Sequence, residues 1–356
     1  MKLLVTGGAG YVGSTLVPLA LGQGHQVRVL DTLEFGSSGL ESCLHHPRLE
    51  LMRGDVRDAA HVRAALAGVD AVVHLAALVG YPACRRDVRT AVTTNVEGTR
   101  LLLELRHPDQ AFLFASTGSV YGSVPEGLCT ELTDNAPLTL YGESKSIGEK
   151  LVGEAGNAAI FRYATAFGVS PLMRLDLLPN HFSYQALRSR KIVMYESGAR
   201  RSFIHVADIA RSFIFALERW ESFRDETFNV GDERLNATKK EIALQIRKSF
   251  DFELTMRDDE RDPDRRDYEV SYRKIRELGF TAEVGLASGI KEIVAALRGV
   301  ANLRGMETDR VRLKPGGVGN PAERPAHQET GDGRVELGNT GGTDIESPDD
   351  RLPSPL

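Results

Sequence analysis

The sequence predicts a doubly wound α/β protein: a parallel sheet with helices on both faces, then a smaller α/β lobe and a disordered C-terminal tail. Three observations carry this. Short apolar runs, "KLLVTG", "QVRVLD", "LELMRGD", "DAVVHLA", "AFLFAS" and "AAIFRYAT", punctuate the first part of the chain. Such near-continuous runs suit strands buried on both faces. Longer amphipathic stretches, such as Tyr11 to Leu21 and Val88 to Arg106, lie between them. Strand, helix, strand repeated is the doubly wound pattern. Lastly, a glycine-rich turn joins the first strand to the first helix.

After about Thr165 the pattern loosens. Helical stretches "FSYQALRSR", "VADIARSFIFALER" and "KKEIALQIRKSF" alternate with isolated strands "TFNVGD" and "FELTMR". The expected division is a nucleotide-binding domain over 1–165, a partly interleaved substrate lobe over 166–300 and a tail over 301–356. The tail has no Phe, Trp or Tyr and is rich in Gly, Pro and charge. It buries too little apolar surface to offset its ordering entropy.

Composition narrows the function. The 356 residues give ample length for a core, and the formal net charge is −5. That charge gives no electrostatic reason to expect nucleic acid or an anionic membrane as partner. Cys43, Cys84 and Cys129 show neither metal spacing nor disulfide arithmetic, which fits a reducing compartment. No apolar run is long enough to span a bilayer, and the N-terminal run is cut short by glycines after Thr6. A cytoplasmic chain without a metal is expected.

The turn "VTGGAGYVG" spaces Gly7, Gly10 and Gly13 as a phosphate-binding loop of Rossmann type. The early glycines allow the tight turn and the approach of a pyrophosphate. The last lets the helix pack on the strand. The helix N-terminus adds free N–H groups and partial positive charge. The second strand ends at Asp31, where a carboxylate accepts both ribose hydroxyls and repels a 2′-phosphate. No Arg follows closely, so NAD is expected over NADP. Asp55, with Val56 beside it, follows the third strand and is placed on the adenine side.

In order along the chain stand "TGGAGYVG", "HLAA", "TNVEGT", "ASTGSVYG", "YGESK", "RYATAFG" and "RRSFIHVADIA". This series resembles the extended short-chain dehydrogenase/reductase family, and within it the nucleotide-sugar epimerase/dehydratase branch. The resemblance runs from Lys2 to about Leu297. It implies a catalytic set of Thr117, Tyr141 and Lys145. A Tyr with its ordinary pKa of about 10 is a poor base at neutral pH. A cation one helical turn away favours its phenolate. Tyr141 then exchanges a proton with a sugar hydroxyl, Lys145 lowers its pKa and holds a ribose, and Thr117 bonds the sugar oxygen. The resemblance also implies that Tyr11 and Val12 present backbone to the pyrophosphate. Leu75, Ala76 and Ala77 would line the adenosine, Asn95 would steady the active-site helix, and Tyr163 would stand near the nicotinamide. Asn180, Arg201 and Arg266 fall where the branch contacts the nucleotide diphosphate, with Arg265 the alternative to Arg266.

Departures from the branch select the reaction. Its 4,6-dehydratases follow the catalytic Thr with Asp-Glu, whereas here Gly118 and Ser119 follow Thr117. Nucleotide-glucuronate decarboxylases carry Glu where Ser119 stands. Galactose-type 4-epimerases have Asn-Pro at Thr165 and Ala166. An NAD preference favours oxidation and re-reduction of one substrate. The expectation is a nucleotide-sugar epimerase, at C4 through a 4-keto sugar. The rivals are a 4-ketoreductase of a nucleotide-linked deoxysugar, an atypical dehydratase and a non-catalytic NAD-sensing module. A homodimer pairing the helices around Val88–Arg106 and Tyr141–Glu154 is expected. Val92, Val96, Leu101, Leu102 and Leu105 would lie in that interface or on the sheet. His74, His205 and Trp220 read as structural, while Cys84 and His181 are placed where they could face the sugar.

Overall fold

The computed structural model describes residues 1–122, 128–257, 269–299, 310–314 and 317–319. Seven strands form the central sheet: β1 (Lys2–Thr6), β2 (Gln26–Asp31), β3 (Leu49–Arg53), β4 (Ala71–His74), β5 (Ala111–Thr117), β6 (Ala158–Tyr163) and β7 (Glu226–Val230). Their order is β3-β2-β1-β4-β5-β6-β7, and every pairing is parallel. Chain direction across the sheet reverses between β1 and β4, and ligands of open α/β sheets bind outside the strand ends at that point.

Strand alternation builds two cores. Leu3 and Val5 of β1 face a cluster shared with helices Gly13–Gly22 and Val206–Glu218. Leu4 faces the opposite cluster, with Val62 of helix Ala59–Leu66 and Leu102 of helix Gly98–Leu105. All three strand residues are fully buried, which is why β1 reads as a continuous apolar run. A third cluster forms the smaller lobe, where helices Leu178–Ser189, Lys239–Arg247 and Leu286–Arg298 pack through Phe182, Ile242 and Ile293.

Two elements differ from the expected division. "TFNVGD" is β7, the edge of the central sheet, and "VADIARSFIFALER" is a covering helix of its first layer. Both bury their apolar residues against β6, a contact that sequence distance conceals. Within 301–356, Arg310–Lys314 and Gly317–Gly319 are strands, and the first pairs antiparallel with Leu172–Arg174. "RVRLK" has the alternation of a strand, which bulk composition averages away. The rest of 301–356 lies outside the described residues.

The helix Leu140–Ala155 lies over β5 and β6. Thr139 caps it, its Oγ1 accepting from Gly142 N at 3.2 Å. It packs so closely that a Cβ on Gly148 would lie 2.6 Å from Cζ of Phe114, itself fully buried. Two effects oppose each other in Gly148→Ala. Helix propensity improves by about 1 kcal/mol, while overpacking a core costs about 1–3 kcal/mol. Because the Phe114 ring has nowhere to go, overpacking wins. Thermal unfolding should show a lower Tm for the variant, and a raised Tm would contradict the packing described.

Candidate functional site

The Gly-rich turn, the ends of β1 to β6 and the edge of the smaller lobe line one cleft of 720 Å³. At its nucleotide end the sequence dictates a close approach. Gly7 has φ +69°, and a Cβ there would lie 2.7 Å from Ala76 N. A Cβ on Gly13 would meet Gly8 Cα and its carbonyl oxygen at 2.5 Å. Glycine is therefore needed at both places. Gly10 N donates to Gly7 O at 3.1 Å, closing the turn. The N–H groups of Tyr11 and Val12, which border the cleft, find no acceptor among the described residues. Orphan donors at a helix start are what a dinucleotide diphosphate takes up.

Asp31 also lines the cleft. Its Oδ2 accepts from Ala9 N at 3.0 Å and its Oδ1 from Leu33 N at 2.8 Å. Val56, Leu75, Ala76 and Ala77 border the same end. Asp55 is there too, but the Arg57 guanidinium spans both its oxygens, with Nε at 3.0 Å from each. The hydrogen bonds from Arg57 hold its carboxyl below the usual carboxylate range. These residues fit NAD: a cradle a Cβ would fill, unmet N–H donors and a carboxylate at the end of β2.

A buried relay sets the loop after β4. Ala76 N donates to Thr6 Oγ1 at 3.2 Å, and the Thr6 hydroxyl donates in turn to His74 Nδ1 at 2.7 Å, the ring nitrogen left bare when Nε2 carries the proton of the neutral ring. Thr99 Oγ1 donates to Asn95 O, so it accepts from His74 Nε2 at 2.9 Å. Burial lowers the imidazole pKa to about 3, so His74 is neutral and structural. Asn95 sits on a π turn, Thr93–Glu97, between helices Val88–Val92 and Gly98–Leu105. Its amide accepts from Leu78 N at 2.8 Å and donates to Leu78 O and to Ser144 Oγ. It thereby fastens the β4 loop to the helix that carries Tyr141 and Lys145. It does not line the cleft.

At the chemical end stand Thr117, Tyr141 and Lys145. The i, i+4 spacing places Tyr141 and Lys145 on one helix face. The Lys145 ammonium donates to Ala115 O at 2.8 Å and lies 4.7 Å from the Phe114 ring centroid. Burial lowers its pKa to about 8. Thr117 caps a short helix, its Oγ1 accepting from Ser119 N at 3.2 Å and donating to Ser119 Oγ at 3.1 Å. Tyr163 borders the cleft, but its hydroxyl contacts Ser212 Oγ at 2.8 Å, on the helix behind.

The smaller lobe supplies Arg200 and Arg201 to the cleft. Asn180, expected on the diphosphate, is fully buried behind the wall. Its Oδ1 accepts from Gly168 N at 3.1 Å and its Nδ2 donates to Arg174 O at 2.9 Å. Arg265 and Arg266 lie outside the described residues. Cys84 is buried, its thiol on Leu78 O, and is not a lining residue, whereas His181 is one. His205 caps helix Val206–Glu218, and Trp220 Nε1 donates to Asn157 Oδ1. Sequence reasoning missed Arg174 and Asp176, which form a cleft-lining pair, and Arg162. "MRLD" and "FRYA" offer only charge inside apolar runs as a signal.

This arrangement defines a dinucleotide-binding enzyme of the short-chain dehydrogenase/reductase type. Residues 3–231 match the NAD dependent epimerase/dehydratase family, and the chain belongs to it. It is 32% identical over 315 residues to a dTDP-glucose 4,6-dehydratase from Streptomyces niveus, covering 83% of this chain and 92% of that one. It superposes on a dTDP-glucose 4,6-dehydratase from Streptomyces venezuelae, crystallised with NAD and TYD, with TM-score 0.76 and 28% identity, over 84% of this chain and 97% of that one. A UDP-glucuronic acid 4-epimerase from Bacillus cereus, with UDP-glucuronic acid and NAD, gives TM-score 0.75 and 25% identity over 83% and 98%.

Replacing Asp31 tests the nucleotide end. Asp31→Ser should weaken NAD binding about tenfold and narrow its preference over NADP, because one good hydrogen bond to a charged group is worth about 1.5–3 kcal/mol. Fluorescence titration with both cofactors measures the ratio. An unchanged ratio would detach Asp31 from the ribose.

Proposed function

We propose that this protein is a nucleotide-sugar epimerase that inverts C4 through a transient 4-keto sugar. The observation that carries the reading is which acids face the chemical end. Among the described residues, the carboxylates lining the cleft are Asp31, Glu34, Asp55 and Asp176. The first three stand at or just after the ends of β2 and β3, at the nucleotide end. Asp176 is bound by the Arg174 guanidinium, its Oδ1 at 3.0 Å from Nε. Beside Thr117 stand Gly118 and Ser119, so the described residues bring no acid–base pair for loss of water to Thr117.

The residues divide the work by their chemistry. Tyr141 takes the proton of the C4 hydroxyl and later returns it. Lys145, cationic below pH about 8, favours the phenolate that does this. Thr117 Oγ1 would turn its proton from Ser119 Oγ to the C4 oxygen and steady its developing charge. Arg200 and Arg201 would meet the substrate diphosphate, since guanidinium forks match phosphate oxygens. The residues of the Gly-rich turn with Asp31 would hold NAD, which when bound supplies a reversible hydride acceptor. Return of hydride to the opposite face of the sugar would give the epimer.

The dehydratase relatives favour a second reading, loss of water from a dTDP-hexose. Product mass separates the two. The purified chain with a panel of UDP- and dTDP-sugars should yield a stereoisomer of unchanged mass. A product lighter by one water would replace the epimerase reading. Tyr141→Phe should lower turnover about 10²–10⁴-fold with NAD still bound. Undiminished turnover would remove Tyr141 from its role.

A homodimer also belongs to this proposal. Val96 and Leu102 are buried in the core, while Val88, Val92 and Ile147 are exposed on the two helices. Sedimentation at micromolar concentration should give twice the 39.0 kDa chain mass. A monomer there would remove the dimer.

A further inference from the structure

Glu149 lies one turn beyond Lys145 on the helix Leu140–Ala155, with 6% of its surface exposed. Its carboxylate collects donors from three places. Ser116 Oγ donates to Oε1 at 2.5 Å, and Asn135 Nδ2 donates to Oε2 at 2.9 Å. The Arg162 guanidinium donates to both oxygens: Nε at 3.1 and 3.2 Å, Nη2 at 2.8 Å. Ser116 immediately precedes Thr117 at the end of β5. Arg162 immediately precedes Tyr163 at the end of β6. One carboxylate therefore ties two strand ends that border the cleft to the helix that carries Tyr141 and Lys145.

A neutral amide could make some of those bonds, so the charge calls for a reason of its own. The Lys145 ammonium has one carbonyl, one aromatic ring and almost no water around it. Glu149 and Tyr141 face it from its own helix at i+4 and i−4. Cys84 acts on it from helix Tyr81–Arg86 and His74 from β4. Burial holds the thiol up at about 11 and the imidazole down at about 3, so both are neutral near pH 8. Arg162 holds the Glu149 carboxylate from β6. Its Nη1 donates to the Tyr121 hydroxyl at 3.1 Å and to Glu131 O at 3.3 Å. Across the cleft, the positive charge of Arg174 is matched by Asp176.

We infer that Glu149 is a positioning residue for Lys145: its buried negative charge keeps the lysine cationic, and Arg162 sets how much of that charge the lysine feels. The two members of one ion pair then act on Lys145 in opposite senses. Taking away the carboxylate charge leaves the Arg162 guanidinium without its counter-ion and favours the neutral amine. Taking away the guanidinium frees the carboxylate and favours the ammonium. A pair that only clamped the helix would give no such opposition. The cationic form matters to turnover on the epimerase reading above, but the titration itself does not depend on that reading.

The test is the titration of Lys145 in the full-length protein labelled with [13Cε]lysine, its signal assigned by loss in Lys145→Met. Glu149→Gln should lower the midpoint by roughly half a unit or more, and Arg162→Gln should raise it. Should Glu149→Gln not fold, Glu149→Asp, which withdraws the carboxylate by one methylene, should lower it less. Midpoints unchanged by these substitutions, or moved in the same direction by both partners, would overturn the inference and leave a mechanical clamp. In turnover, the alkaline limb of kcat should follow the NMR midpoint while KM stays put. A midpoint that moves without the limb would count against the role given to Lys145 in the reaction, not against Glu149.

Discussion

An ammonium held away from water is the constraint on which the rest of this structure depends. Lys145 is 3% exposed, and an isolated cation in such a place would give up its proton. Three neighbours reduce that cost: the Ala115 carbonyl, the Phe114 ring face and the Glu149 carboxylate. Each sits on an element whose position is fixed by something else. Phe114 and Ala115 belong to β5, in the middle of the sheet. Glu149 is held by Arg162 of β6 in an ion pair with both side chains buried. Removing one partner of such a pair costs about 3–5 kcal/mol, because the other is left charged and unpaired. The helix cannot move without breaking these contacts, so Tyr141 is placed as firmly as Lys145.

The nucleotide end obeys a different constraint, the absence of side chains. Gly7 and Gly13 let backbone pass within contact distance of Ala76 and Gly8. What remains is a row of N–H groups at a helix start. Behind it, Thr6, His74 and Thr99 form a neutral relay whose proton directions follow from their partners. It ends at Asn95, whose amide joins the β4 loop to the helix that carries Tyr141 and Lys145. The two ends of the cleft are therefore one mechanical body, linked through a π turn inserted in a helix. Such turns recur at functional sites because they re-aim a side chain that a regular helix would misdirect.

How much of this was legible in the sequence varies with the range of the interaction. The six runs read as strands are strands, and the Gly-rich turn, Asp31, Thr117, Tyr141 and Lys145 do line one cleft. The dimensions of the smaller lobe were misjudged: "TFNVGD" completes the central sheet, and its partner β6 is some sixty residues earlier. Asn180 was expected on the diphosphate because the family resemblance placed it there. It proves to be an interior bracket for the Gly168–Arg174 loop. Arg174, in the same stretch, reaches the cleft without having attracted notice.

By itself the sequence determined whatever a local period or a backbone requirement expresses. Strand alternation, helix faces, caps and obligatory glycines are set by residues within a few positions of each other, and their rules are the same in every protein. Only the tertiary structure decided which polar groups meet across the fold: that Ser116, Asn135 and Arg162 converge on Glu149, and that Asn95 reaches Leu78 and Ser144. Those pairings depend on where burial removes water. A charged residue then needs a particular partner, and no spacing along the chain announces which one it will find.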